Sequence, residues 1–168
     1  MTISMYEASV PAFVSMLKNL SAILDKAQAC AESKKVAPTV LPASRLFLDM
    51  FPLSKQVQIA CDFAKGTVAR LAGIEIPKYE DNEQTIEELK ARIAKTIAFV
   101  ESVAAAQING SEEREITLTV GGKEMKFKGQ PYLLGFSLPN FYFHLTTAYN
   151  ILRHNGVEIG KRDFMGQV

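Results

Sequence analysis

The sequence predicts a mainly all-α fold, a four-helix bundle with one β-hairpin inserted between helices 3 and 4. Apolar residues recur every three or four positions in four segments, which is typical of helices that bury one face. One segment, residues 115–128, alternates with period two around a Gly-Gly pair and therefore predicts a hairpin. The 168 residues are expected to form a single domain, 1–168, large enough to bury a core.

Helix 1 is predicted to run from a capping box, Ser4-Met5-Tyr6-Glu7, to about Lys34. Pro11 lies one turn inside this helix, where it removes a donor and should cause a kink. The apolar face has spacings of 3, 4, 3 and 4, at Val10, Phe13, Leu17, Leu20 and Leu24.

Helices 2 and 3 have clear starts and stops. Three prolines between residues 35 and 52 predict an irregular connection, and Pro52 suits the first turn of helix 2. Gly73 is expected to end that helix. Helix 3 is predicted to begin at a second capping box, Thr85-Ile86-Glu87-Glu88.

The hairpin has a predicted register. A two-residue turn at Gly121-Gly122 pairs Leu118 with Met125 and Ile116 with Phe127 on one face. The same register pairs Thr117 with Lys126 and Glu115 with Lys128 on the other face. Both faces then combine compatible side chains.

Helix 4 is predicted from about Gln130 to His154, bent near Pro139, with a left-handed stop at Asn155-Gly156. It contains both histidines of the chain, so three histidines of one subunit cannot form a metal site. His154 lies in the last turn, where a positive charge interacts favourably with the helix dipole, and we interpret it as a helix cap.

Composition excludes several function classes. A net charge of +1 gives no basic excess for nucleic acid. No apolar run reaches the ~18 residues of a membrane span, and the N-terminus lacks a signal-peptide pattern, so we expect a cytoplasmic protein. Cys30 and Cys61 are far apart in sequence and are interpreted as reduced thiols.

Polar residues at the edges of two apolar faces form the candidate ligand-binding site. On a helical wheel, Asn140 and His144 lie together beside the core face of helix 4. Gln58, Asp62 and Lys65 form a similar stripe on helix 2. Such stripes can meet across a bundle and line a cavity. The alternatives are a structural His144, bonded to Asp62 or a backbone carbonyl, and a solvated stripe on helix 2.

Four motifs resemble an uncharacterised bacterial family, a domain of unknown function related to the DinB/YfiT-like bundles, and the resemblance covers nearly the whole chain. They are Asp49-Met50-Phe51-Pro52-Leu53, Gln56-Val57-Gln58, Phe141-Tyr142-Phe143-His144 and Leu152-Arg153-His154-Asn155-Gly156.

This resemblance implies an up-down-down-up bundle that is often dimeric. Many members of the wider superfamily bind a divalent metal through one histidine on helix 2 and an H-x-x-x-H pair on helix 4, and some are thiol-dependent transferases. His144 matches the second histidine of that pair, whereas Asn140 occupies the first position. Gln58 or Asp62 stands where the helix 2 histidine would be. No cofactor is therefore expected beyond a weakly bound divalent metal, with Asp62 and His144 as weak candidate ligands.

Three functions remain open at this stage. The first is binding of a small polar ligand in a cavity between helices 2 and 4. The second is a metal-dependent enzyme, similar to thiol transferases or hydrolases, with a degenerate metal site and unknown catalytic residues. The third is a structural dimerisation module. We expect a homodimer because aromatic residues are frequent on helix 4, and no nucleic-acid or membrane partner.

Overall fold

The structure is a computed structural model that describes residues 3–166. In chain order its elements are α1 (Val10–Ser33), α2 (Val40–Ala43), α3 (Leu53–Ala72), α4 (Ile86–Ser102), α5 (Ala105–Ile108), β1 (Glu115–Val120), β2 (Lys123–Lys128), α6 (Gly129–Pro131), a π-helical segment (Tyr132–Ser137), α7 (Leu138–His154) and α8 (Lys161–Met165). The four long helices α1, α3, α4 and α7 are the predicted helices 1 to 4. Among residues 3–166, no helix combines the length and hydrophobicity that a membrane span requires.

The start of α1 differs from the prediction. The Ser4 hydroxyl accepts the Glu7 N–H at 3.2 Å, as expected, but residues 5–9 form a separate turn. Regular helix begins only at Val10, so Pro11 lies in its first turn and not in its interior. Proline has no N–H to offer the Glu7 carbonyl, and the first turn is where that loss costs least.

The ends of α3 and α4 follow local sequence signals as predicted. Pro52 immediately precedes α3, and Gly73 ends it with a φ of 70°, in the left-handed region that favours glycine. At the start of α4, the Thr85 hydroxyl accepts the Glu88 N–H at 3.2 Å, and the Glu88 carboxylate accepts the Thr85 N–H at 2.9 Å. This is the reciprocal capping box that the sequence predicted.

The hairpin also has the predicted register, with Leu118 opposite Met125 and Ile116 opposite Phe127. The turn at Gly121-Gly122 has positive φ at both residues, 56° and 78°. Ile116 and Leu118 are buried. Strand β1 therefore supplies the face that packs on the bundle.

Near Pro139, where the sequence predicted a bend, the structure has a π-helical segment at Tyr132–Ser137 that continues into α7. The Leu138 N–H bonds to the Leu133 carbonyl, five residues back. Because Pro139 has no N–H, the chain must leave one upstream carbonyl without its usual partner, and the wider turn ends just before the proline. The helix ends at His154, and Gly156 follows with a φ of 82°.

Two contacts relate α1 to its neighbours in the bundle. Lys18 pairs with Glu101 at 3.1 Å, joining the early part of α1 to the end of α4, so these helices are antiparallel. The Phe13 and Phe141 rings meet edge to face at 4.8 Å, both in the first turns of their helices, so α1 and α7 are parallel. Both rings are fully buried in the core.

Helices α3 and α7 are antiparallel. Gln56, near the start of α3, bonds to His144 in the middle of α7. Thr67, near the end of α3, bonds to the Ser137 hydroxyl just before α7 begins. With α1 and α7 parallel and both antiparallel to their other neighbour, the bundle is up-down-down-up, as the resemblance implied.

Candidate functional site

The five predicted site residues occupy two separate places on the bundle. Gln58, Asp62 and Lys65 bond to α4 and to the segment between α3 and α4, residues 74–85. Asn140 and His144 lie on α7, and the contact that links His144 to α3 is made by Gln56. The structure thus does not bring the two polar stripes together in one cavity.

Arg92 of α4 is the centre of the first place. Its side chain is 2% exposed and bonds to three carboxylates. The guanidinium nitrogens lie 2.9 Å from Asp62, 3.0 Å from Asp81 and 3.0 Å from Glu83. Burial opposes the charge on Arg92, but the Glu83 hydrogen bond and the Asp62 charge raise its pKa above the usual value. Arg92 is therefore a permanently charged clamp on residues 74–85.

The predicted residues of α3 complete this network. Gln58 donates to the Glu83 carboxylate at 2.8 Å, and Lys65 lies 3.0 Å from Asp62 while donating to the Pro77 carbonyl at 2.9 Å. Their polar groups are thus occupied by protein partners. This stripe fastens a loop to two helices.

His144 forms the second place, and a hydrogen-bonded relay orients its ring. The Nδ1 atom lies 2.7 Å from Gln56 Oε1, and Gln56 Nε2 donates to the Phe51 carbonyl at 3.1 Å. A carbonyl only accepts, so the amide must direct its NH₂ group toward Phe51 and its oxygen toward the imidazole. Nδ1 then carries the proton, and Nε2 of the neutral ring carries a lone pair.

Two aromatic rings hold the imidazole. Phe63 stacks on it with centroids 6.0 Å apart and an angle of 19°, and Phe143 meets it edge-on at 5.2 Å. His144 is half-buried, and burial lowers its pKa below 6.5, so the ring is neutral at pH 7. Within residues 3–166, Nε2 has no hydrogen-bond partner, and it is reached by solvent.

The prediction for the two histidines is therefore partly modified. His144 is hydrogen-bonded and half-buried, but its partner is Gln56 and not Asp62 or a backbone carbonyl. The reason is that Asp62 points to Arg92 on the other side of α3. His154 is exposed in the last turn of α7.

Asn140 stands one turn before His144. Its Nδ2 donates to the Phe136 carbonyl at 2.7 Å, in the π-helical segment. This bond uses one N–H of the amide, and Oδ1 stays an acceptor. Asn140 Oδ1 and His144 Nε2 are thus two acceptors on successive turns of α7.

The donor set does not fit a tightly bound transition metal. Zinc sites use three or four imidazole, thiolate or carboxylate ligands, and His144 is the one such group available here. Asp62 is held by Arg92 and Lys65, and the Gln56 oxygen is used by His144 itself. No cluster of three His, Cys, Asp or Glu side chains that could hold an ion occurs in the described residues.

Other candidate chemistry lies elsewhere. Cys61 is fully buried, and burial raises its pKa to about 12, so it is an inert thiol at neutral pH. Two surface clefts of about 520 and 540 Å³ lie beside Cys30 and beside Tyr79, and neither is lined by His144.

Sequence reasoning missed Gln56 and Arg92, although both leave a signal. Gln56 is 1% exposed and precedes Ala60, Phe63 and Thr67 on one side of α3, so a polar side chain stands on a buried stripe. Arg92 likewise follows Leu89 on the buried side of α4. A polar residue at an apolar position of a helical pattern needs a partner, and that need identifies it as a candidate.

The chain is similar to a known protein family and to a solved structure. Residues 5–165 match a family model described as "Domain of unknown function (DUF1993)". Among solved structures, the chain is similar to a DinB family member protein from Shewanella denitrificans, with 46% identity, a TM-score of 0.86, and coverage of 97% of this chain and 92% of that chain. None of the curated proteins matches. The DinB-like bundle implied by the sequence resemblance is therefore confirmed.

Proposed function

Because the chain belongs to DUF1993, a family of unknown function, we propose its role from the His144 site itself: binding of a small polar ligand beside His144, where α7 packs on α3. The observation that supports this most is the free Nε2 lone pair of a neutral, oriented imidazole. Asn140 Oδ1 offers a second contact one turn away. The ligand would lie on the α7 side of the site and not in the cavity between helices 2 and 4 that the sequence suggested.

A purely structural histidine would need less support than this one receives. Gln56 is almost fully buried, and both ends of its amide are used to hold the imidazole relative to the Phe51 carbonyl. Ordering a glutamine side chain costs about 1.5–2 kcal/mol of rotamer entropy. The result is a ring whose unbonded nitrogen is presented outward, which favours a binding role.

A paired thermal-shift screen tests the proposal. Small polar compounds are screened against the natural protein, His144→Ala and the matched control His154→Ala, which removes an exposed histidine of the same helix. Compounds that stabilise the natural protein and His154→Ala but not His144→Ala are expected. If every stabilising compound acts equally on His144→Ala, ligand binding at this site is wrong.

A metal-dependent enzyme remains the second candidate, supported by the superfamily resemblance and by the open Nε2 atom. We infer that any divalent ion is held weakly, because the one available imidazole has only neutral oxygens near it. Protein purified without a tag should contain no near-stoichiometric zinc or nickel. Stoichiometric zinc that disappears in His144→Ala would favour the enzyme instead.

We propose a homodimer because several apolar side chains are exposed. Phe143 is 56% exposed on α7, and the loop before α3 exposes Phe47 and Leu48. Aromatic residues of this kind are enriched at interfaces. Sedimentation at micromolar concentration should give the dimer mass, and a monomer mass alone would contradict it. The cytoplasmic location stays a prediction.

A further inference from the structure

We propose that the His144 site selects organic amines, molecules with an ammonium head on a small apolar body, and that Gln56 sets this preference. The inference rests on the proposed ligand binding at His144 and names the class of ligand. Three features of the site support it: the direction of the relay, a second acceptor on Asn140 and the aromatic surroundings.

The relay makes Nε2 an acceptor. Phe51 contributes a carbonyl, which can only accept, and this fixes the Gln56 amide with its oxygen toward Nδ1. The proton therefore resides on Nδ1 and the lone pair on Nε2. Without Gln56, either nitrogen of the imidazole could carry the proton, and Nε2 would no longer be a fixed acceptor.

The second feature is a further acceptor one turn from Nε2. Asn140 donates one N–H to the Phe136 carbonyl, and its oxygen is left to accept. Residues four apart on a helix are neighbours, about 5–6 Å between Cβ atoms, so one ligand head can reach both. An ammonium group has three donors to give to Nε2 and Oδ1, whereas a carboxylate or phosphate has none to give to these two atoms.

The charged groups on the surrounding elements bond to other partners or are exposed to solvent. Arg45, in the loop before α3, donates to the Leu48 and Met50 carbonyls. On α3, Lys55 pairs with Asp81 at 2.5 Å, and Asp62 pairs with Arg92 and Lys65. On α7 itself, Arg153 and His154 are exposed in the last turn. Asp49, also in that loop, is exposed.

Aromatic rings distinguish an amine from an alcohol. Phe143 is 56% exposed and lies at 87° to the imidazole, with ring centroids 5.2 Å apart. Phe63 backs the ring from the other side. A cation beside an aromatic face gains an attraction that a neutral hydroxyl lacks, and the apolar body of the ligand can pack on the same rings.

Three probes of one shape test the preference. Benzylamine, benzyl alcohol and benzoate are titrated into ¹⁵N-histidine-labelled protein, and the ring nitrogens of His144 are followed by NMR with His154 as the internal reference. We expect benzylamine to perturb His144 and to bind roughly tenfold more tightly than benzyl alcohol, with benzoate weakest. Before any probe is added, the spectrum of neutral His144 should show a protonated Nδ1 and an unprotonated Nε2.

Variants of Gln56 test its part. Gln56→Leu should abolish the preference for benzylamine and allow the His144 proton to occupy either ring nitrogen. Gln58→Leu is the matched control, because it removes a buried glutamine of the same helix that bonds to Glu83 instead. Its spectrum should match the natural protein at His144.

The outcomes separate this inference from the proposed function. Benzoate binding as tightly as benzylamine would overturn the selectivity while leaving a ligand site at His144. Equal binding of benzyl alcohol would refute the cation preference. An unchanged tautomer and unchanged benzylamine affinity in Gln56→Leu would refute the role of Gln56. If no probe perturbs His144, the proposed function fails with it.

Discussion

Replacing Arg92 by methionine should be among the most damaging single changes outside the apolar core. The substitution keeps an unbranched apolar stem of similar length, so most packing is preserved. What it removes is the charge that three carboxylates share. We expect the free energy of unfolding to fall by about 3–4 kcal/mol.

That magnitude follows from the exposure of each partner. The side chain of Glu83 is 10% exposed, so its ion pair with Arg92 is nearly buried, and breaking such a pair costs about 3–5 kcal/mol. Asp62 and Asp81 are 40% and 37% exposed, so water screens them and each adds about 0.2–1 kcal/mol. The sum is reduced because residues 74–85 form a loop, and Glu83 can turn toward water once released.

Urea denaturation followed by circular dichroism provides the measurement. The control is Lys18→Ala, whose ion pair with Glu101 is exposed by 59% and 49% and should cost less than about 1 kcal/mol. Adding Glu83→Gln to Arg92→Met should recover part of the loss, because the unpaired buried charge is then gone. If Arg92→Met costs no more than Lys18→Ala, the reasoning about a buried network is wrong.

Three further changes have defined outcomes. Thr85→Ala should lower the unfolding free energy by about 1 kcal/mol in the same urea assay, because it removes the α4 cap; an unchanged midpoint would contradict this. A thiol reagent should label Cys30 in the native protein and Cys61 only after unfolding, since burial raises the Cys61 pKa to about 12; equal rates would refute it. Burial lowers the pKa of His144, so the unfolded chain binds that proton more tightly. The resulting stability is complete above pH 6.5 and is lost as pH falls through the lower folded pKa. His144→Gln should flatten this step in a pH series of melting curves, and an unaltered step would assign it to another group.

The features that the sequence predicted well depend on neighbouring residues. The Thr85–Glu88 capping box and the Gly121-Gly122 turn each involve a few consecutive positions, and both are confirmed. The hairpin register followed because a two-residue turn fixes every pair in the two strands. Helix faces were recognisable for the same reason, since the periodicity of apolar residues is a local property.

The site was predicted less completely because its contacts join distant segments. His144 and Gln56 are 88 positions apart, and a helical wheel shows which way each points without showing which helix it meets. Asp62 was assigned to the side of α3 that faces His144, but its actual partner Arg92 lies on α4. The wheel could not decide between these neighbours, because both α4 and α7 pack on α3.

The π-helical turn makes the rotation of α7 relative to the upstream helix depend on the exact number of residues in this segment. A π turn corresponds to one extra residue in an α-helix, so deleting one residue from Tyr132–Ser137 would restore a regular helix. At about 3.6 residues per turn, the same deletion would rotate the upstream and downstream parts of the helix by about 100° relative to each other. Either the Tyr132 side would leave its packing on Thr67, or His144 would turn away from Gln56. Homologues that keep the relay should therefore tolerate substitutions in this segment far better than a change in its length.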